Sequence, residues 1–68
     1  NPHKLAKAES RVAELEARLS AIDAELAEPG LYADGAARAA LLVREQTELR
    51  TQLDAAEAEL LGLYASVA

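Results

Sequence analysis

The chain has no cysteine, methionine, tryptophan or phenylalanine, and its only aromatic side chains are Tyr32 and Tyr64. Without cysteine no disulfide can brace the fold, and no thiolate can bind metal or act as a nucleophile. The redox compartment is left open, with the cytoplasm the expected location. No apolar run approaches the roughly 20 residues of a membrane span, and no charged-then-apolar signal segment opens the chain. The expectation is a chain without a membrane partner. The one histidine, His3, has no second ligand at helical spacing, so it is read as solvent-exposed rather than metal-binding. Ser10, Ser20 and Ser66 have no base placed to activate them. The three glycines form no phosphate-cradling loop with a lysine and hydroxyl. Enzyme activity of these 68 residues is excluded on those grounds, and the domain is expected to hold no cofactor or metal.

What the chain has in quantity is alanine, seventeen residues of it, within an apolar fraction of 51%. Good helix formers predominate and large core side chains are few. Leu5, Ala8, Val12, Leu15, Leu19, Ile22 and Leu26 step by alternating threes and fours, as do Leu42, Gln46, Leu49, Leu53, Ala56, Leu60 and Leu63. That spacing is a heptad seam. Folding the chain back at Pro29-Gly30 sets Leu26 against Leu42, Leu19 against Leu49 and Leu5 against Leu63, with every pair of residue numbers adding to 68. One register satisfies the whole seam. The fold class is therefore all-α, a two-helix antiparallel coiled-coil hairpin forming a single domain over residues 1–68.

The first helix is expected over about residues 3–27, with Pro2 tolerated in its first turn. The connector is 28–34 and the second helix about 35–67, with Asp34 as N-cap to the amides of Ala36 or Ala37. Pro29 stops the first helix, and Gly30 is available for a left-handed backbone. Leu31 and Tyr32 are expected to fold over Leu26, Ala39 and Leu42 and plug the closed end, Tyr32 having base stacking as its alternative role. Gln46 is the one polar seam residue, of the kind that fixes register. Gly62 weakens the second helix and marks either fraying or the approach of another chain. On the flanks, the seam sets Arg11 level with Glu59 and Glu16 with Arg50, both favourable, but Glu9 with Glu57 and Glu25 with Glu45. Within helices, Glu14–Arg18, Arg44–Glu48 and Arg50–Asp54 are one turn apart.

The formal net charge of −5 argues against a generic nucleic-acid binder, whose affinity comes from Lys and Arg on phosphates. Yet Lys4, Lys7, Arg11 and Arg18 place four of the seven basic residues in the first helix. Lys4, Arg11 and Arg18 share a heptad position, bordered by Glu45, Gln52 and Glu59. They are the candidate phosphate contacts. Leu41, Val43, Leu61 and Tyr64 give the second helix more apolar surface than one partner helix can cover, and are the candidate protein contacts.

The connector Leu26-Ala27-Glu28-Pro29-Gly30-Leu31-Tyr32-Ala33-Asp34 between two heptad helices resembles that of the C-terminal domain of Uup-type ABC-F proteins. Leu60-Leu61-Gly62-Leu63-Tyr64 is similar to the leucine and aromatic cluster near that domain's end, although the Arg-Trp that follows in the family is missing here. The resemblance implies the C-terminal piece of a larger cytoplasmic ATPase, a reading that suits a chain opening on Asn1. ATP and Mg would then belong to the parent's ATPase domains, and the coiled-coil arm would help it engage DNA, other nucleic acid or the ribosome. Two further readings stand beside this one: a structural interaction or homodimerisation hairpin, and a tRNA-contacting arm of an aminoacyl-tRNA synthetase.

Overall fold

The computed structural model describes residues 2–33 and 36–67. Two helices, α1 (Pro2–Leu26) and α2 (Ala37–Val67), pack along their length as a rod of 51 × 14 × 14 Å. Cross-helix hydrogen bonds from Arg38 to Glu25 near the connector and from Tyr64 to Glu9 at the other end make the pairing antiparallel. Among the described residues there are no strands.

Every position of the seam is buried or half-buried. Leu15, wholly buried, packs with Leu19, Ile22, Leu42, Leu49 and Ala56, and Val12, Leu26 and Leu53 border that core. Ala39 extends the buried set towards the connector, and Leu31 is half-buried against it. Elsewhere, wherever exposure is described, the side chains face solvent. The division follows from geometry: two helices meet along one stripe each, and only a residue on a stripe of period 3.5 stays within it for the whole length.

Gln46 sits half-buried in the stripe without leaving a polar group unsatisfied. Its amide Nε2 donates to Oδ1 of Asp23 at 2.6 Å, a charge-assisted bond that reaches from the seam to its edge.

The connector is tighter than a generic loop. The Glu28 amide donates to the Glu25 carbonyl at 3.1 Å, closing α1, and the Leu31 and Ala33 amides donate to Glu28 and Gly30 at 3.2 Å each. Pro29, which has no N–H to continue the helix, supplies the break. Gly30 does not use the left-handed backbone expected for it, because successive four-residue turns, each closed by an i+3 to i hydrogen bond, carry the chain round without one. α2 starts at Ala37, two residues later than expected, and its first helical bond runs from the Ala40 amide to the Ala36 carbonyl at 2.9 Å. Ala36 therefore holds the N-cap position expected for Asp34. Asp34 and Gly35 lie outside the described residues.

The expected plug is half right. Leu31 turns inward, but Tyr32 is 58% exposed at the apex. Adjacent residues in a tight turn point in different directions, and the space above the last layer accommodates one of them.

Candidate nucleic-acid interface

Lys4, Lys7 and Arg11 fall on consecutive turns of α1, so one side of the helix gathers them. They line a shallow groove of ≈ 490 Å³ with Ala8, Ser10 and Glu14, and Glu59 of α2 closes the far wall. The groove lies between the cationic edge of α1 and the facing edge of α2. Neither Lys4 nor Lys7 has a hydrogen-bond or ion-pair partner among the described residues. Their ammonium groups are available to an incoming anion.

The two arginines are more constrained. Arg11 donates to Oε1 of Gln52 at 3.2 Å and lies 4.0 Å from the Glu14 carboxylate. Arg18 donates to Glu14 at 2.8 Å and does not line the groove. A single carboxylate thus holds one arginine firmly and touches a second, which draws the cationic surface towards Lys4 and Lys7.

The flank pairings differ from those set level by the seam, and the difference is systematic. Arg11 meets Gln52 instead of Glu59, Glu25 meets Arg38 at 2.8 Å instead of Glu45, and Glu9 accepts from the Tyr64 hydroxyl at 2.9 Å instead of facing Glu57. Each contact is displaced by one heptad. Long side chains reach obliquely across the groove, and for Glu9 and Glu25 the oblique partner replaces like-charge repulsion with a hydrogen bond or ion pair. Glu16 and Arg50 form no ion pair among the described residues, nor do Arg44–Glu48 or Arg50–Asp54; Glu14–Arg18 does. All these groups are solvated, so each contributes about 0–1 kcal/mol at most.

Among the described residues, Tyr64 is the one titratable group clearly shifted. Its hydroxyl proton is held by the Glu9 carboxylate, which keeps the phenol above its ordinary range; desolvation and the neighbouring negative charge act in the same direction. No sequence pattern pointed to this bond, since a same-level register never sets Glu9 beside Tyr64.

Leu41, Val43, Leu61 and Tyr64 are all exposed, Leu61 most of all at 67%. They form two groups at opposite ends of α2. A Cβ added at Gly62 would meet nothing within 4 Å, so no close approach inside the hairpin requires that glycine. Among the described residues no group of three or more His, Cys, Asp or Glu side chains is placed to hold a metal ion, and no helix is long and apolar enough to cross a membrane.

This hairpin, with its Pro-Gly connector and heptad helices, is matched over residues 2–65 by the family model of the ABC transporter C-terminal domain. The chain belongs to that family. The match takes in both helices and the connector, so membership rests on nearly the whole hairpin rather than on the Leu-Tyr motif alone. No curated protein and no solved structure matches the chain. The site described here is thus a surface site on an ABC transporter C-terminal domain.

Proposed function

We propose that this domain is a noncatalytic arm that helps an ABC-F-type ATPase engage nucleic acid, as DNA or within the ribosome. The observation that carries the reading is the groove in which Lys4, Lys7 and Arg11 converge, both lysines being without a partner among the described residues. A phosphate backbone offers the repeating negative charge that such a row would track, since Lys4 and Arg11 are about 10 Å apart along the helix. The walls from Glu14 and Glu59 limit the affinity, and the domain's net charge of −5 opposes long-range attraction. Binding is therefore weak by itself and gains strength as one contact among several. Hydrolysis of ATP with Mg belongs in this reading to the parent's ATPase domains. The family assignment favours this arm over that of an aminoacyl-tRNA synthetase.

The test is fluorescence anisotropy of labelled DNA and RNA duplexes. Three phosphate contacts give a slope of log K against log salt of about −2.7, or about a 40-fold weakening from about 50 to 200 mM salt. A variant carrying Lys4→Glu, Lys7→Glu and Arg11→Glu is expected to lose binding, whereas Arg18→Glu alone, on a residue already tied to Glu14, has a smaller effect. Absence of binding at low salt would overturn the proposal.

A further inference from the structure

α2 carries a second heptad stripe that α1 does not cover. Ala40, Val43, Thr47 and Arg50 continue through Asp54, Glu57, Leu61 and Tyr64, alternating steps of three and four, and every one of them is exposed. This stripe runs roughly a quarter turn round the helix from the primary seam, on the side away from the basic groove. Its apolar members are concentrated at its two ends, with Val43 and Leu61 about 27 Å apart and charged residues between.

That distribution is self-complementary in one orientation. In an antiparallel pairing of α2 with α2 of a second copy, Val43 meets Leu61, Ala40 meets Tyr64 and Thr47 meets Glu57. At the centre, Arg50 of each chain meets Asp54 of the other. A two-fold axis at Gln52 relates every contact to its mate, as an isologous interface requires. A parallel pairing would instead stack Arg50 on Arg50, Asp54 on Asp54 and Glu57 on Glu57. Sliding the antiparallel pair by one heptad in one direction sets Val43 against Asp54, and in the other it sets Asp54 against Glu57.

The single hairpin leaves the required groups available. Arg50 and Asp54, one turn apart, form no ion pair with each other or with any described residue. The Thr47 hydroxyl donates to the Val43 carbonyl at 3.1 Å, so its donor is already satisfied within the helix. Tyr64 is held by its bond to Glu9, which orders the ring before any partner arrives.

We propose that this stripe is a homodimerisation surface: two hairpins pair through α2 antiparallel about Gln52, clamped by reciprocal Arg50–Asp54 ion pairs and by Val43–Leu61 contacts at each end. With half its layers polar, the dimer is weak and concentration-dependent. It leaves both basic grooves open and does not rest on nucleic-acid binding.

The experiment is sedimentation equilibrium of the chain from about 1 μM to about 1 mM. The mass is expected to rise from 7.2 kDa towards twice that value. Arg50→Asp gives each chain two acids at the centre, and Asp54→Arg gives each two bases, so either variant alone is expected to stay monomeric while keeping its helical circular dichroism. Mixed in equal amounts, the two are expected to form a 1:1 heterodimer, because each central layer again pairs an acid with a base. A wild-type chain that remains monomeric throughout would overturn the proposal. So would single variants that associate as well as the parent, or a mixture that fails to associate.

Discussion

Replacing Leu15 with alanine tests the packing argument at its most sensitive point, because Leu15 is wholly buried in the middle of the core. The change removes three carbon groups, each contributing about 0.8 kcal/mol when buried, which gives about 2.4 kcal/mol from transfer alone. In larger proteins a residual cavity adds to this figure, up to about 5 kcal/mol. Here two helices with no third layer behind them can close on the gap, so the cavity contribution is small and the loss is expected at about 2.5 kcal/mol. A domain of this size has a net stability of only roughly 3–5 kcal/mol. If it is about 4, the variant retains about 1.5, and the unfolded fraction rises from about 0.1% to about 7%. With a urea dependence near 1 kcal/mol per molar, the midpoint of the circular dichroism transition falls by about 2.5 M. Leu41→Ala, at a site 59% exposed on the same rod, is the control and is expected within about 0.5 kcal/mol of the parent. Equal losses at the two positions, or a loss below about 1 kcal/mol at Leu15, would refute the seam as the source of stability.

Gly62→Ala places a methyl where no atom lies within 4 Å, and so is expected to stabilise α2 by about 1 kcal/mol, seen as a rise in melting temperature of about 4–8 °C. In the Tyr32→Phe background, absorbance titration of the remaining phenol is expected to show a midpoint above about 10, returning towards that value when Glu9→Ala removes the acceptor. Because the folded-state value is raised, the Tyr64–Glu9 bond supports the fold below the unfolded phenol's pKa. That support is lost as pH rises through the folded one, so the parent is expected to lose stability on the alkaline side relative to Tyr64→Phe in denaturant titrations at each pH.

The seam was legible because its cause is periodic: positions from Leu5 to Leu26 and from Leu42 to Leu63 repeat at 3.5 residues, and only one antiparallel register closes them all. Flank partners were not legible. The level of Arg11 on the rod says Glu59, but a guanidinium on a long flexible stem reaches Gln52, and such reach depends on rotamers rather than sequence spacing. The start of α2 was blurred for a different reason, since Ala36, Ala37, Ala39 and Ala40 carry no hydroxyl or carboxylate that would mark a cap. Leu31 and Tyr32 are both apolar neighbours in a turn, and the backbone alone decides which of them turns inward. Of the candidate site, the cationic edge was readable from the heptad position shared by Lys4, Arg11 and Arg18. The one-turn pairing of Arg18 with Glu14 was readable too, but the concavity was not, because it arises where two helices meet.

Burial is uneven along the rod. Leu42, Ile22 and Leu19, towards the connector, are buried, whereas Leu5, Leu60 and Leu63 at the opposite end are only half-buried. The layer beside the connector also joins residues closest in sequence, so its loop closes with the least entropy loss and each later layer adds to a loop already closed. Folding is accordingly expected to proceed as a zipper with a direction, starting beside the connector around Leu42 and ending at Leu5 and Leu63. Opening is expected to run in reverse, with amide exchange faster at the free end, around Leu5 and Leu63, than around Ile22 and Leu42. The groove of Lys4, Lys7 and Arg11 lies at the end that closes last, so whatever binds there also latches the zipper.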